Sequence, residues 1–517
     1  MIGLQINDLI LNYDRNFQVN TAWVKIRSAG LLLTCWWVCC SWTASGMAEE
    51  SPDVTPGGDV TTHVPGNPPN IIVVLTDDQG YGDVSAHGNP ILKTPNLDRL
   101  ERESRSFTNF FVSPTCSPTR SALMTGRHEF FNVVTHTILE RELLSLDAVT
   151  VAEALRGAGY ATGIFGKWHL GDEESYQPDR RGFDEVFIHG AGGIGQSYPG
   201  SCGDAPGNRY FNPAILHNGT FEKTEGYCTD IFFRKAIEWI GQKRTEKPFF
   251  CWIATNAPHA PYDARAEDAS LYDGFGLDEK LKNFYGMIHN IDQNIGALLE
   301  QLDRWEIANE TLLVFMNDNG SAIGGTKFNA GMRGAKGSPW LGGTRASSFW
   351  RWPSRIAPGP CDALTAHIDF FPTLATLAHA TLDDRAKSQI QGRDLDAVLW
   401  DPSAHWEDRT LVTHLGRWPK GTSPAGFQYA QCAIRNTRYT LVSVHGKSTP
   451  KWELFDVLAD PGQTMNIAES HPEVVLELGQ AYDRWWSSVQ GYLVNEDAVG
   501  PAENPFQTLY RKQFGAK

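Results

Sequence analysis

Four short apolar runs in this chain each lead into a polar cluster. Ile71–Thr76 leads into Asp77-Asp78, and Thr162–Phe165 into Gly166-Lys167-Trp168-His169. Pro248–Ala254 is soon followed by Pro258-His259-Ala260-Pro261, and Thr311–Met316 leads into Asn317-Asp318-Asn319-Gly320. Asp77, Asp78, Asp318 and Asn319 offer three carboxylates and an amide oxygen. All are hard oxygen donors, which suit Ca²⁺ or Mg²⁺ better than zinc. Singly, each pair reads as an ordinary strand-end cap or turn. Together, after apolar strands, they point to a metal site. Cys116 lies in Ser113-Pro114-Thr115-Cys116-Ser117-Pro118-Thr119-Arg120-Ser121, and Ser121 to Arg127 looks helical. The cysteine therefore falls at or near a helix N-terminus, beside Arg120. Both features stabilise an anion or a polarised oxygen. Alone, it would read as a loop cysteine in a Ser/Pro turn.

The elements that must position these groups alternate. The first run is rich in β-branched residues, and all four are continuous apolar runs that suit strands buried on both faces. Helical patterns lie between them at Asn96–Glu103, Val149–Ala158, Asp230–Gln242 and Asp278–Arg304. This order predicts an α/β fold with a large, mostly parallel sheet sandwiched by helices, whose chemistry gathers at the strands' carboxyl ends. After Trp400 the pattern changes. Asp401-Pro402-Ser403 reads as a linker, and Thr410–His414, Tyr439–Val444 and Trp452–Val457 alternate like half-exposed antiparallel strands. His471–Ser488 reads as an amphipathic helix opened by Pro472. We expect a catalytic domain over 70–400 and a smaller C-terminal α+β domain over 401–517.

The 517 residues carry 45 Lys+Arg against 60 Asp+Glu, a formal net charge of −15. That balance sets aside a globally basic nucleic-acid binder and leaves room for a local cationic pocket. The 41% of hydrophobic residues can fill a large core, and no repeat, heptad or low-complexity tract is present. Residues 1–48 read as a signal peptide with a long lead: Lys25 and Arg27 precede an uncharged, Leu/Trp-rich run that ends at Gly46-Met47-Ala48. A retained membrane anchor, or a start near Val24, is the alternative reading. Residues 49–69 read as a flexible lead-in. This predicts a secreted or periplasmic protein with no stable membrane insertion after cleavage. Cys116, Cys202, Cys228, Cys251, Cys361 and Cys432 remain beyond the leader, too few for a disulfide framework. Cys202 and Cys228 are expected as a possible pair, and Cys251 as a buried bystander.

Cys116-Ser117-Pro118-Thr119-Arg120, continuing to Thr125-Gly126-Arg127, resembles the signature of the type I sulfatases. Other clusters agree in type and order: Thr76 to Asp83, Gly166 to Gly171, Pro258 to Tyr262, Asn317 to Gly320, Lys336-Gly337 with Gly342 to Arg345, and Trp452 to Asp456 with Asp460-Pro461 and Asn466. The match spans roughly residues 70–490. The resemblance implies an alkaline-phosphatase-like fold and hydrolysis of a sulfate ester on a sulfated carbohydrate or an aryl sulfate. It also implies a formylglycine made from Cys116 by a formylglycine-generating enzyme. One divalent cation, usually calcium with magnesium as the alternative, would be held by Asp77, Asp78, Asp318 and Asn319 and faced by the modified Cys116. The metal and Arg120 would favour the deprotonated form of one hydroxyl of the hydrated aldehyde, which attacks sulfur. Lys167 and Lys336 would neutralise the sulfuryl oxygens. His259 would protonate the leaving alcohol, and His169 would take the proton of the second hydroxyl as sulfate leaves. Arg333 and Arg345 would support the pocket, and His189 and Gln196 are candidates for holding sulfate.

One position departs from the family pattern: Leu341 stands where a Glu is common before Gly342-Gly343. A second carboxylate near Lys336 or Arg345 would then be missing. Trp168, Tyr198, Tyr262 and Trp340 are candidates for stacking on a sugar or aryl ring. A phosphonate monoester or phosphodiester hydrolase of the same superfamily is the alternative function, and a decayed homologue that only binds sulfated glycans is the non-enzymatic one.

Overall fold

The computed structural model describes residues 66–494 and 498–515. The expected signal peptide and most of the lead-in lie outside them. Among the described residues, no helix is long and apolar enough to cross a membrane.

Sixteen strands are described. They are β1 Asn70–Thr76, β2 Arg105–Phe107, β3 Phe110–Phe111, β4 Ala161–Lys167, β5 Glu185–His189, β6 Ala214–His217, β7 Thr220–Lys223 and β8 Phe249–Ala254. They continue as β9 Thr311–Asn317, β10 Ser348–Arg351, β11 Gly359–Cys361, β12 Thr365–Ala366, β13 Leu411–His414, β14 Cys432–Arg435, β15 Tyr439–Ser443 and β16 Glu453–Asp456. Ten of them form one sheet in the order β11-β2-β10-β9-β1-β8-β4-β5-β6-β7. Its centre, from β9 to β5, is parallel. The four strands expected from the apolar runs are β1, β4, β8 and β9, and every residue in them is buried. The short antiparallel strands β10, β6 and β7 extend this parallel centre. They carry no long apolar run, so the sequence pattern did not single them out.

The sheet is covered on both faces. Ile71, Val73 and Leu75 of β1 point into one core with Phe370, Leu374 and Leu377 of the helix Phe370–Leu377. Ile72 and Val74 point into the other, with Leu97, Ile231 and Ile295. Those three belong to helices α1 Pro95–Arg102, α4 Cys228–Lys243 and α6 Glu279–Arg304. Between them in the chain lie helices α2 Cys116–Thr125, α3 Val151–Gly157 and α5 Ala266–Ser270. The helix starts follow local chemistry. Thr150 Oγ1 accepts from the Glu153 N–H at 3.1 Å while Glu153 Oε2 accepts from the Thr150 N–H at 2.7 Å, a capping box that opens α3. Asp278 Oδ1 accepts from the Leu281 N–H at 2.9 Å and opens α6.

Beyond Trp400, β13 to β16 form a four-stranded antiparallel sheet backed by the helix Pro472–Val489. This is the α+β unit expected there, with β14 added between two expected strands. The helix Pro505–Phe514 does not stay with it. Gln513 exchanges two hydrogen bonds with the backbone of Phe221 in β7, at 2.8 and 2.7 Å, and Phe506 packs on Phe221. The described residues belong to one compact unit.

The pairing of Cys202 with Cys228 is corrected: both are free and buried. Cys228 opens α4 inside one core, whereas Cys202 sits in the 190–204 loop. Cys251, in the middle of β8, is buried as expected.

Gly166 shows how tightly the sheet delivers its polar ends. Its φ of 114° is a left-handed value within β4, and a Cβ there would lie 1.9 Å from the Ala254 carbonyl oxygen on β8. Gly166→Ala is expected to lower unfolding free energy by about 3 kcal/mol. Gly157→Ala, with nothing within 4 Å of the new methyl, should be neutral or gain about 0.5 kcal/mol. Urea unfolding of the two variants checks this, and equal midpoints would contradict it.

Candidate active site

Parallel pairing sets the site. Thr76 of β1 lies opposite Asn317 of β9, so the residues that follow each strand emerge side by side. The Asp318 N–H donates to the Thr76 carbonyl at 3.1 Å, and the Asp78 N–H donates to Asp318 Oδ1 at 3.2 Å. Asn319 Nδ2 donates to Asp78 Oδ1 at 3.1 Å. Asp78 has a φ of 67°, which turns the chain sharply out of the strand. Asp77, Asp78, Asp318 and Asn319 are thus brought together, all at most 3% exposed.

Cys116 is the first residue of α2, and Thr115 caps the helix in an extended conformation. Asp77, Asp318 and the Cys116 thiol offer ligand atoms within 4.8 Å of one another, and so do Asp77, Asp78 and His259. Ser117 Oγ donates to the His169 carbonyl at 2.7 Å and ties α2 to the loop after β4. The Gly337 N–H donates to the Pro114 carbonyl at 2.8 Å and ties in the Lys336 loop.

Each buried carboxylate meets a cation. Lys167 Nζ lies 2.6 Å from Asp77 Oδ2, Arg120 Nη2 lies 2.7 Å from Asp318 Oδ2, and Lys336 Nζ lies 2.5 Å from Asp78 Oδ1. Arg120 Nη1 also donates to the Lys167 carbonyl at 3.3 Å. Burial pushes Asp77 up to about 7 and Asp318 to about 6, with the neighbouring aspartates adding to the shift. Asp78 feels the same burial, but Lys336 and His259 overcome it and hold its carboxyl below the usual range. Burial also opposes ionisation of Cys116, and Lys167 and Lys336 more than offset it, so the thiol is lowered. Burial drives His169 far down, with Lys167 adding to it, and lowers His259 against the pull of Asp78.

The residues present fit a hard divalent cation. Asp77 Oδ1 and Asn319 Oδ1 are buried oxygens without a hydrogen-bond partner. Such orphaned acceptors are costly unless a cation takes them up.

Above this floor lies a cavity of about 270 Å³. Cys116, His169, His259 and Lys336 line it, and so do Gln196 and Tyr198 of the Gly-rich loop. Arg120 and Lys167 are buried behind it. His189 is not in the wall; its Nδ1 donates to the Gly190 carbonyl at 2.8 Å and its ring stacks on Phe232. Of the aromatic candidates only Tyr198 lines the cavity. Trp168 donates to the Tyr176 carbonyl, Tyr262 packs on Phe284, and Trp340 packs on Phe455. Arg333 lies over the Trp340 ring at 3.7 Å, and Arg345 over Tyr81 at 4.2 Å. They brace neighbouring loops and do not enter the cavity. His136, Thr137 and Arg417 also line it, and the sequence reading missed them. No local signal marks them, because they come from loops far from every motif. A second cavity of about 280 Å³, lined by Phe111, Trp485 and Arg435, touches none of the candidate catalytic residues.

The Leu341 departure is absorbed by packing. Leu341 joins Phe111, Met332 and Leu364 in a small apolar cluster. Nearby Arg435 lies over Phe111 at 3.9 Å and donates to Thr344 Oγ1 at 3.2 Å. Burial, with Arg345 adding, pushes Arg435 down to about 9. Aromatic faces hold cations here in place of a carboxylate.

A family model described as sulfatase matches residues 69–380. Arylsulfatase J of Mus musculus is 31% identical over 457 residues, covering 79% of this chain and 74% of that protein. The N-acetylgalactosamine-6-O-sulfatase of Bacteroides thetaiotaomicron is 29% identical over 492 residues, covering 80% of this chain and 92% of that one. The solved structure of Ps i-CgsB in complex with k-i-k-neocarrahexaose matches with a TM-score of 0.73 at 26% identity, over 87% of this chain and 98% of that one. The fold is that of the alkaline phosphatase superfamily. Within it the chain belongs to the type I sulfatase family, and its reaction class is hydrolysis of a sulfuric ester.

The Gly-rich wall depends on Asp172, whose Oδ2 accepts from the Gly203 N–H at 2.9 Å and Oδ1 from the Ala191 N–H at 3.3 Å. Burial pushes Asp172 up to about 8, with Glu142 and Glu173 adding. A carboxyl raised in the folded state stabilises most below the unfolded value, and the contribution is lost as pH rises through the folded one. Relative to Asp172→Asn, the protein should therefore lose about 1 kcal/mol per pH unit between about pH 5 and 8. Urea midpoints of both proteins across that range test it, and parallel pH profiles would sink it.

Proposed function

We propose that this sulfatase releases sulfate from a sulfated saccharide, and that Cys116, in its formylglycine form, is the group that takes up the sulfuryl moiety. The observation that carries the reading is Cys116 at the head of α2, between Lys167 and Lys336 and against the Asp77–Asp318 pair. The saccharide is supported by relatives described as an N-acetylgalactosamine-6-O-sulfatase and as a complex with k-i-k-neocarrahexaose.

A formylglycine at 116 supplies, as its hydrate, two hydroxyls on one carbon, one to accept the sulfuryl group and one to let sulfate leave. A divalent cation, calcium by the oxygen-only donor set, would be held by Asp77, Asp78, Asp318 and Asn319 and would supply positive charge beside that residue. The three carboxylates are already balanced by Lys167, Arg120 and Lys336. A dication added to this set leaves charge for an anion to meet, which a sulfate ester does. Lys336 lines the cavity and is placed to hold sulfuryl oxygens. Lys167 and Arg120 act from behind through the field they set up.

The two histidines suit opposite proton roles. His169 Nε2 donates to the Thr137 carbonyl at 2.8 Å, which leaves Nδ1 as the free acceptor. Burial keeps this ring neutral, the state a proton acceptor needs. His259 Nδ1 donates to the Ala260 carbonyl at 2.7 Å, and its Nε2 lies 3.8 Å from Asp78 Oδ2. Burial lowers this ring too, but Asp78 pulls against it, so of the two histidines His259 is the better suited to carry the proton that a leaving alcohol takes. Two like residues are set apart by their neighbours. Secretion or periplasmic export and maturation by a formylglycine-generating enzyme belong to the same reading.

The test is sulfate release from nitrophenyl sulfate and a panel of sulfated glycans. The protein is matured with a formylglycine-generating enzyme and supplied with calcium. Cys116→Ala is expected to fall to the blank, and the Cys116 peptide should carry the mass of formylglycine. Preference for phosphate diesters by a wide margin would instead support the phosphodiesterase alternative. His259→Ala should cut turnover of a sugar sulfate by about 10²–10⁴ and of nitrophenyl sulfate far less, because nitrophenolate needs little help to leave. Equal losses on both substrates would remove His259 as the acid.

A further inference from the structure

The cavity over Cys116 is lined by two long cations, Lys336 and Arg417. Lys336 already has Asp78. Arg417 has no carboxylate within ion-pair distance among the described residues, and its one polar contact to them is Nη2 to Thr137 Oγ1 at 3.4 Å. It is exposed, and it belongs to the connection between β13 and β14, far in sequence from every motif of the catalytic set.

The backbone that carries Arg417 is pinned. Buried Arg141 donates through Nη2 to the Gly416 carbonyl and through Nη1 to the Trp418 carbonyl at 3.0 Å. Its guanidinium also lies 4.8 Å from the Trp418 ring centroid. Gly416 takes a φ of 70°, and a Cβ there would lie 2.1 Å from the Thr135 carbonyl. One buried arginine thus holds the residues on either side of Arg417 and presents its side chain at the cavity. Burial and Arg417 together keep neighbouring His136 uncharged, pushed down to about 3. Among the described residues, Arg417 is then the cation of this wall with no carboxylate partner. A guanidinium carried on a fixed backbone offers a fork for a planar or tetrahedral oxyanion. In a protein of net charge −15, a polyanion approaching the site is repelled unless such a charge stands at the entrance.

Building on the sulfatase reading above, we propose that the substrate carries a second anionic group beside the sulfate that is removed, and that Arg417 binds it. The shared chemistry is an oxyanion on the sulfated unit or its neighbour, either a further sulfate or a uronate carboxylate.

The test reads binding, independently of turnover. Calcium-loaded Cys116→Ala protein, with and without Arg417→Ala, is titrated calorimetrically with three probes: galactose monosulfate, galactose disulfate and glucuronyl-galactosamine monosulfate. At least one doubly anionic probe is expected to bind roughly tenfold more tightly than the monosulfate, the scale of one charge-assisted contact. Arg417→Ala should erase that preference and Arg417→Lys should keep part of it. Preference for the disulfate identifies a sulfate partner, and preference for the glucuronyl probe a carboxylate. Equal Kd values for all three probes, or a preference that survives Arg417→Ala, would overturn the proposal. Nitrophenyl sulfate turnover by the matured protein reports separately on the sulfatase reading. Its absence would count against that reading, while the titrations still decide the role of Arg417.

Discussion

Three carboxylates buried at the ends of two adjacent parallel strands are the constraint on which the rest of the structure depends. Charges in a dry interior cost several kcal/mol each unless they are paired. Asp77, Asp78 and Asp318 are paired one to one with Lys167, Lys336 and Arg120. Those cations arrive from β4, from the loop after β9 and from α2. Each partner must be held in place, so the elements that carry them are tied together. Ser117 holds the His169 loop, and Gly337 holds the segment before Cys116. Removing one partner would leave a buried charge, so the set is fixed as a unit.

Above the fixed floor the structure is built differently. The cavity wall comes from the Gly-rich loop, the 136–138 segment and the connection between β13 and β14. Irregular segments on a rigid sheet are where selectivity varies most easily. Even so, this wall is anchored by buried polar groups: Asp172 and Asp204 accept from loop N–H groups, and Arg141 grips the backbone around Arg417. The small sheet thereby contributes to the pocket as well as covering the catalytic unit. Leu341 belongs to the same division. It packs in an apolar cluster beside the site, and cations near it rest on aromatic rings.

Much of the floor was legible in the chain because its strands are buried on both faces. Continuous apolar runs mark β1, β4, β8 and β9, and a polar cluster at or soon after each run's end marks a strand's carboxyl end. The helical patterns over Val149–Ala158 and Asp278–Arg304 were legible as well, and the structure opens them with caps at Thr150 and Asp278. The strands β2, β10 and β14 left no comparable trace, since they are short and owe their conformation to the neighbour they pair with. Cys202 and Cys228 looked alike as loop cysteines, yet one opens a core helix. Trp168, Tyr262 and Trp340 looked like pocket aromatics and are packing residues. Composition says that an aromatic wants burial, and it does not say against what.

The chain by itself determined the class of fold, the residue types at each strand end and their family, because these rest on short-range periodicity and on motifs of a few residues. Only the tertiary structure decided which groups share a cavity. Thr76 and Asn317 are paired across 241 residues of sequence, and Arg417 faces Cys116 across about 300. Such neighbours are chosen by strand order and by which loops cross the sheet's end, and strand order is a property of the whole packed core.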